Sequence, residues 1–387
     1  MLHVIDSLGI SGGAEKNLAR NLASFDNDLL RHEVALVQSA GSTRRDELPG
    51  HVAVHELFDP NEQVTRPALV SRLRRLVQGR RPSLMHASLP NAALATRIVA
   101  ATSKVAAVES LVNISHEPVR TVDNPNVTMT KLRAHAAIDR VTMRFLTGYH
   151  AVSHEVAESW SRTVGLDPEK IEVIPRGIEI DAVEIDAGER EGARRSIRSE
   201  LGFDDSALVL LAVGRVEPQK GHRYLVEATA EIAPEHPEVR VLIVGRPGHS
   251  SSAVDEAIQV AGLRDVVRLT GARRDLPKIL AAADIFVFPS LFEGNGGNAM
   301  IEAMAAGLPI VTTGAPPMTD LIPSEEFGLL VGRSDTHGLA LALDRLLDDP
   351  GLRRRLGDAA RARAMTFATP DEIAKSHESW YLRLLSS

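Results

Sequence analysis

The chain has 387 residues, 44% of them apolar but only 4% aromatic, with 28 glycines and 21 prolines. That is too long for one ordinary core and suits two domains of roughly 150–200 residues whose interiors are built from Leu, Val, Ile and Ala. The absence of cysteine excludes disulfides, thiolate metal sites and cysteine nucleophiles, and fits a reducing compartment. No apolar run reaches the length of about 18 residues that a membrane span needs, and Met1-Leu2-His3-Val4-Ile5-Asp6 has no basic segment ahead of an apolar one. A soluble, unexported, cytoplasmic protein is expected. The net charge of −7 is unevenly spread: residues 1–175 carry 20 basic and 19 acidic side chains, the remainder 24 and 32, and residues 66–144 alone carry 13 and 4. A basic belt within an acidic chain predicts an anionic partner.

Short β-rich runs alternate with helical patterns in chain order, the signature of parallel βαβ units. Strands are predicted at Leu2–Asp6, Glu33–Val37, Leu84–Ala87, Ala106–Leu111 and Gly148–Val152, with helices including Ala14–Ala23 and Ala68–Gln78 between them. The pattern restarts with strands at Leu208–Val213, Val239–Val244, Val266–Thr270, Ile285–Phe288 and Ile310–Thr312, and helices near Arg223–Ile232, Val254–Ala261, Leu276–Ala282 and Asn298–Ala306. Two doubly wound, Rossmann-like α/β domains in series follow, residues 1–175 and 176–369. The linker is read at Ile174–Ile178 and the polar, acid-rich run Asp181–Glu200. The final segment, Pro370–Leu385, has Ile373, Trp380, Tyr381 and Leu384 at helical spacing and predicts a docking helix.

Three loops carry residue types that suit a phosphorylated ligand. After the first strand, Gly12-Gly13 precedes a helix, where backbone can approach an anion closely and the helix N-terminus offers free N–H groups; glycine there also has a purely steric reading. A nicotinamide reading would need an acidic residue after the second strand, which instead runs into Gln38-Ser39-Ala40-Gly41. In Val213–Gly221, Arg215 lies just beyond a strand and Lys220 five residues on, so both either converge on a diphosphate at the carboxyl edge of a sheet or are ordinary surface charges. The densest segment runs from Phe288 to Pro309: a glycine-rich loop carries Glu293 and the following helix carries Glu302. Carboxylates bind vicinal hydroxyls by accepting two hydrogen bonds at once. Paired carboxylates also serve glycoside hydrolysis, but that chemistry needs no phosphate cradle.

Gly12-Gly13-Ala14-Glu15, the run Val213–Gly221, the segment Asp284–Glu302 and its continuation Ala303–Pro309 together resemble the glycosyltransferases of family 4, in an order that spans nearly the whole chain. The resemblance implies the GT-B fold, with an N-terminal acceptor-side domain, a C-terminal domain holding a nucleotide-sugar donor across a cleft, and a closing helix, 370–387, returning to the first domain. It implies hexosyl transfer to a glycan, lipid-linked or small-molecule hydroxyl with retention of configuration, and neither cofactor nor metal. Carried over by position, Arg215 and Lys220 hold the diphosphate, Glu302 the ribose hydroxyls, and Glu293 the transferred sugar. Gly12, Gly13, Gly294, Asn295, Gly296, Gly297, Asn298 and Ala299 complete the donor loops. His116 resembles a histidine beside the sugar, while His86 and Arg176 fall in family-like contexts on the acceptor side. Eight residues separate Glu293 from Glu302 where the family has seven. Either a glycine bulge at Gly296-Gly297 leaves Glu293 in place, the preferred reading, or Gly294 takes its position.

The belt at 66–144 holds two basic amphipathic segments, around Ala68–Gln78 and Met129–Phe145. Each reads either as an anionic-membrane contact on the inner face of a membrane or as a core-facing helix with a solvated basic side. Nucleic acid is not expected, because aromatic residues are scarce and no binding motif accompanies the charge. Two other functions share the expected architecture: a nucleotide-sugar 2-epimerase, and a non-catalytic nucleotide-sugar-binding protein.

Overall fold

The computed structural model describes residues 1–9, 13–38, 44–179, 185–294 and 297–386. The chain divides into two compact units, the first formed by 1–117, 128–177 and 368–387, the second by 118–127 and 178–367. Residues 118–127 thus leave the stretch with which the sequence pattern groups them.

Among the described residues, the first unit is built on a seven-stranded sheet: β1 (Leu2–Ile5), β2 (Glu33–Gln38), β3 (Ala53–Phe58), β4 (Leu84–Ser88), β5 (Ala106–Leu111), β6 (Gly148–Ala151) and β7 (Ile171–Val173). All pairings are parallel, in the order β3-β2-β1-β4-β5-β6-β7. The second unit has six strands: β8 (Leu208–Val213), β9 (Val239–Val244), β10 (Val267–Leu269), β11 (Ile285–Phe288), β12 (Ile310–Thr313) and β13 (Leu329–Val331). These too are parallel, ordered β10-β9-β8-β11-β12-β13. Successive side chains of a strand point to opposite faces. Leu210 and Ala212 of β8 therefore enter one core with Val241 and Ile243, while Val209 and Leu211 enter another with Leu242 and Val244. Both faces are covered, as a parallel sheet requires.

The run 181–200 is not all linker, because Ala187–Leu201 is a helix. Its Arg198 is buried against the carbonyls of Asp205 and Ala207, and Arg194 and Arg198 both pair with Asp284, at 2.6 and 2.7 Å. The last helix, Pro370–Ser386, belongs to the first unit: Ile373, Ala374, Trp380 and Tyr381 share a core with Ile5, Leu22, Phe25 and Val108. No helix among the described residues is long and apolar enough to cross a membrane.

His377, Trp380 and Tyr381 of that helix are buried together with His3, Phe25, His32, His86 and His150. One carbonyl fixes the direction of a hydrogen-bond chain through them. His150 Nε2 must donate to the Ile174 oxygen at 2.8 Å, which makes its Nδ1 an acceptor for the Ser110 hydroxyl at 2.9 Å. Ser110 Oγ in turn accepts from His86 Nε2 at 2.8 Å, so His86 Nδ1 accepts from the Tyr381 hydroxyl at 2.7 Å. Both imidazoles of this hydrogen-bonded series, His86 and His150, are neutral, and a second proton on either would set donor against donor.

Burial pushes His86 down to about 3 and His150 down to about 4, each helped by a neighbouring cation or imidazole. Because the folded values lie below the unfolded value of about 6.5, the stability these groups contribute is complete above that pH and is lost as pH falls below it. Thermal unfolding followed from pH 7.5 to 5.5 is expected to show a loss of about 3 kcal/mol from this pair. The His86→Gln/His150→Gln variant should flatten that dependence, and an unchanged slope would contradict the neutral chain.

Candidate functional site

In the second unit, β8 and β11 are neighbours, so the loops leaving their carboxyl ends lie side by side where open parallel sheets bind ligands. The loop after β8 ends in a short turn, Pro218–Lys220, followed by Gly221 at φ +64. A Cβ on Gly221 would fall 2.1 Å from the Pro289 carbonyl oxygen, so glycine is what allows the two loops to touch. Gln219 joins them: its carbonyl accepts from the Leu291 N–H at 2.8 Å, and its Nε2 donates to the Phe292 carbonyl at 2.9 Å. That clasp ends one residue before Glu293, whose Oε1 meets Lys220 Nζ at 2.5 Å. The Lys220 ammonium also lies 5.1 Å from the centre of the Phe288 ring. With side chains only 20% and 8% exposed, Lys220 and Glu293 form a shielded pair, unlike ordinary surface ion pairs.

Arg215 is placed differently. Its guanidinium is more than half exposed and lies 3.5 Å from Glu217, which is held from the other side by the backbone N–H and Nδ1 of His249, at 3.3 and 2.8 Å. The helix Asn298–Ala305 starts directly after Gly297, at φ +79, where a Cβ would lie 2.4 Å from the Phe288 ring. Asn298 and Ala299 therefore form its first turn, whose amides point out of the helix end, and Glu302 lies buried one turn further on. Gly294 precedes this turn. Asn295 and Gly296 lie outside the described residues, and with them the manner in which the extra residue before Glu302 is absorbed.

In the first unit, Gly13 opens the helix Gly13–Ser24, and Arg176 Nη1 lies 2.8 Å from where a Gly13 Cβ would be. These two candidates meet; Gly12 lies outside the described residues. His116 is almost fully buried at the end of a charged chain. Its Nε2 bonds Asp139 at 2.8 Å, Asp139 bonds Arg97 at 2.5 Å, and Arg97 grips Glu109 through two contacts of 2.6 Å. Burial would raise the Asp139 carboxyl, but its bonds to His116 and Arg97 outweigh that and hold it below the usual range. The His116 ring packs edge-on against Trp160 at 4.7 Å, and its Nδ1 finds no partner among the described residues. His86 sits on a separate network in which both ring nitrogens are committed to Tyr381 and Ser110, leaving it a structural part. Among the described residues, no three His, Asp or Glu side chains are grouped to hold a metal ion.

Residues 193–363 match the glycosyl transferases group 1 family, and residues 12–182 match glycosyltransferase family 4. The chain belongs to the family 4 type of glycosyltransferases. A D-inositol 3-phosphate glycosyltransferase of Salinispora arenicola is 33% identical over 214 residues, 52% of this chain and 47% of that protein. A 2-deoxystreptamine glucosyltransferase of Streptomyces kanamyceticus is 29% identical over 241 residues, 61% and 59% of the two chains. The chain thus spans about half the length of the curated relatives it matches. In fold it is similar to Anabaena HepE, solved with UDP and glucose, at a TM-score of 0.81 and 21% identity over 98% of this chain and 99% of that one. Sucrose-phosphate synthase of Thermosynechococcus elongatus is comparable, at 0.81 and 20% over 100% and 99%. The fold of this family 4 member is therefore GT-B.

Several residues of these sites have no mark in the sequence. Gln219 lies inside the run that carries Arg215 and Lys220, but its role depends on where Phe292 falls. Asp139, Arg97 and Glu109 are separated by 12 and 42 residues and share no motif.

Two measurements test this geometry. Lys220→Met and Glu293→Gln are each expected to destabilise the protein, with a coupling of about 1–3 kcal/mol in a double-mutant cycle read by denaturant unfolding. Gly297→Ala, which meets both a left-handed backbone and the Phe288 ring, is expected to cost about 1–3 kcal/mol, read as a lowered Tm.

Proposed function

We propose that this protein transfers a hexosyl group from a nucleoside-diphosphate sugar to an acceptor hydroxyl, with retention of configuration and without a metal ion. The observation that carries the reading is the Lys220 and Glu293 pair, clasped by Gln219 beside the first turn of the helix Asn298–Ala305 at the carboxyl edge of the second sheet. Membership of family 4 and the UDP-glucose complex of the similarly folded HepE support it.

In this reading Lys220 and the amides of Asn298 and Ala299 stabilise the charge that develops on the departing diphosphate, and Arg215 swings from Glu217 to join them. Glu302 accepts from the ribose hydroxyls and Glu293 from the transferred sugar. Separation of the sugar from the diphosphate breaks the anomeric C–O bond, and the acceptor oxygen forms the new bond on the same face while its proton passes to the leaving phosphate. Positioning and electrostatics supply most of the acceleration. The first unit supplies the acceptor side, with Gly13 and Arg176 together and His116 oriented by Asp139.

The test incubates the full chain with UDP-, GDP- and ADP-linked hexoses, with and without a panel of polyol and glycan acceptors, and assigns the anomeric configuration of any product by NMR. Acceptor-dependent transfer with retention is expected. A new sugar nucleotide formed from donor alone would indicate epimerisation, and donor binding without turnover would indicate a binding protein. Glu293→Ala is expected to lose transfer while nucleoside-diphosphate binding, measured by calorimetry, survives; near-normal turnover would remove Glu293 from the reaction.

A further inference from the structure

Residues 118–127 lie between elements of the first unit in the chain but belong to the second, and they rest on the two loops that Gly221 and Gln219 hold together. The segment begins with a short turn, Pro118–Thr121, closed by the Thr121 hydroxyl on the Pro118 carbonyl at 2.8 Å. It is pinned at two points. The Tyr224 hydroxyl donates to Asp123 Oδ2 at 2.5 Å, and Tyr224 stands in the first turn of the helix His222–Ile232 that follows Gly221. The Arg120 guanidinium lies 5.6 Å from the centre of the Phe292 ring, one residue before Glu293.

Arg120 is the sole cation of residues 118–127, and it has no anion. Its side chain is half-buried, its Nε is wholly buried without a partner, and it makes no hydrogen bond or ion pair among the described residues. Burial lowers its pKa, with no carboxylate near enough to oppose the effect. The two acids closest in the chain path are already engaged, Asp123 by Tyr224 and Glu293 by Lys220. Other arginines that burial pulls down are compensated. Arg190 donates to the Ala306 carbonyl at 3.0 Å, and Arg198 donates to the carbonyls of Asp205 and Ala207 and to Asp284.

A guanidinium drawn out of water with no acceptor opposes folding, and the face of Phe292 offsets only part of that cost. A hydroxyl would accept one of its hydrogen bonds and leave the charge uncompensated. A carboxylate or phosphate supplies the opposite charge and takes two parallel N–H···O bonds from the planar fork. Position says which part of a substrate carries that group. Arg120 stands by the loop of Glu293, which the reading above turns to the transferred sugar, whereas the diphosphate is assigned to Lys220 and the first turn of Asn298–Ala305.

We propose that Arg120 forms an anion subsite beside Glu293, which binds a carboxylate or phosphate carried by the transferred sugar or by the acceptor, separate from the donor diphosphate. The subsite follows from the unpaired cation, and its assignment to a substrate rests on the proposed reaction. Anion binding is therefore read first, without turnover. The full chain is unfolded thermally in sodium phosphate and in sodium chloride of equal ionic strength, with excess UDP throughout to occupy the diphosphate site. Phosphate is expected to raise the Tm of the unmodified protein, and the rise is expected to vanish in Arg120→Met. In chloride, Arg120→Met is expected to unfold at the same temperature as the unmodified protein or above it, because it removes an uncompensated charge. No rise with phosphate, a rise that survives in Arg120→Met, or a lowered Tm of that variant in chloride each overturns the proposal.

Turnover then separates the two sources. Hexose donors are compared with the matching hexuronic acid donors, and neutral acceptors with their phosphorylated forms. Arg120→Met is expected to lower kcat/KM by about tenfold or more for one charged partner and to leave its neutral counterpart unchanged. An equal loss for charged and neutral forms overturns the assignment to a substrate. A chain that turns over nothing yet is stabilised by phosphate through Arg120 refutes the proposed reaction and keeps the subsite.

Discussion

A parallel sheet covered on both faces leaves only its ends open. In the second unit β8 and β11 bury side chains into two separate cores, so neither face of that sheet can present chemistry. Whatever this unit binds must meet the loops at the carboxyl ends, and those loops are pressed together until their backbones touch at Gly221 and Pro289. The clasp by Gln219, the placement of Glu293 and its approach to Lys220 all follow from that crowding. The site's supports are main-chain contacts and part-buried bonds rather than side chains reaching through solvent.

The strands that the sequence pattern finds and misses divide nearly along the same line, the edge strand β10 being the one exception. Central strands such as β8 and β9 are continuous apolar runs, because both sides are buried, and they stand out by composition alone. Three that escape the pattern, β3, β7 and β13, are edge strands. β7 and β13 have three residues each, and β3 interrupts its apolar residues with His55 and Glu56. An edge strand has a neighbour on one side only, so its sequence is under weaker constraint. The helix Ala187–Leu201 escapes for another reason: its surface is charged, and its anchoring residue, Arg198, is itself a charge whose burial depends on Asp284, 86 residues away.

The site was legible where motif and geometry coincide. Lys220 and Glu293 are 73 residues apart, yet each sits at a strand end in a glycine-marked loop, and the sheet order brings the two together. His86 shows the opposite outcome. Its family-like context suggests an acceptor-side role, but hydroxyl partners from Ser110 and Tyr381 consume both nitrogens, and no local pattern announces partners 24 and 295 residues distant. Charge was a coarse guide as well. The acidic half of the chain keeps Lys220 compensated within its own loop cluster, and in the basic belt Arg72 and Arg80 are paired within the fold with Glu62 and Glu33.

The helix Pro370–Ser386 closes a core that is otherwise made within residues 1–177, and residues 178–367, all of the second unit but 118–127, lie between them in the chain. During synthesis the first sheet must therefore wait, with the histidine cluster and the apolar side chains around Ile5 and Phe25 uncovered, while about half of the protein is still to be made. The unit that begins first is the one that finishes last. Its assembly is a ring closure over a very long loop, which ties the maturation of both halves to a single late event.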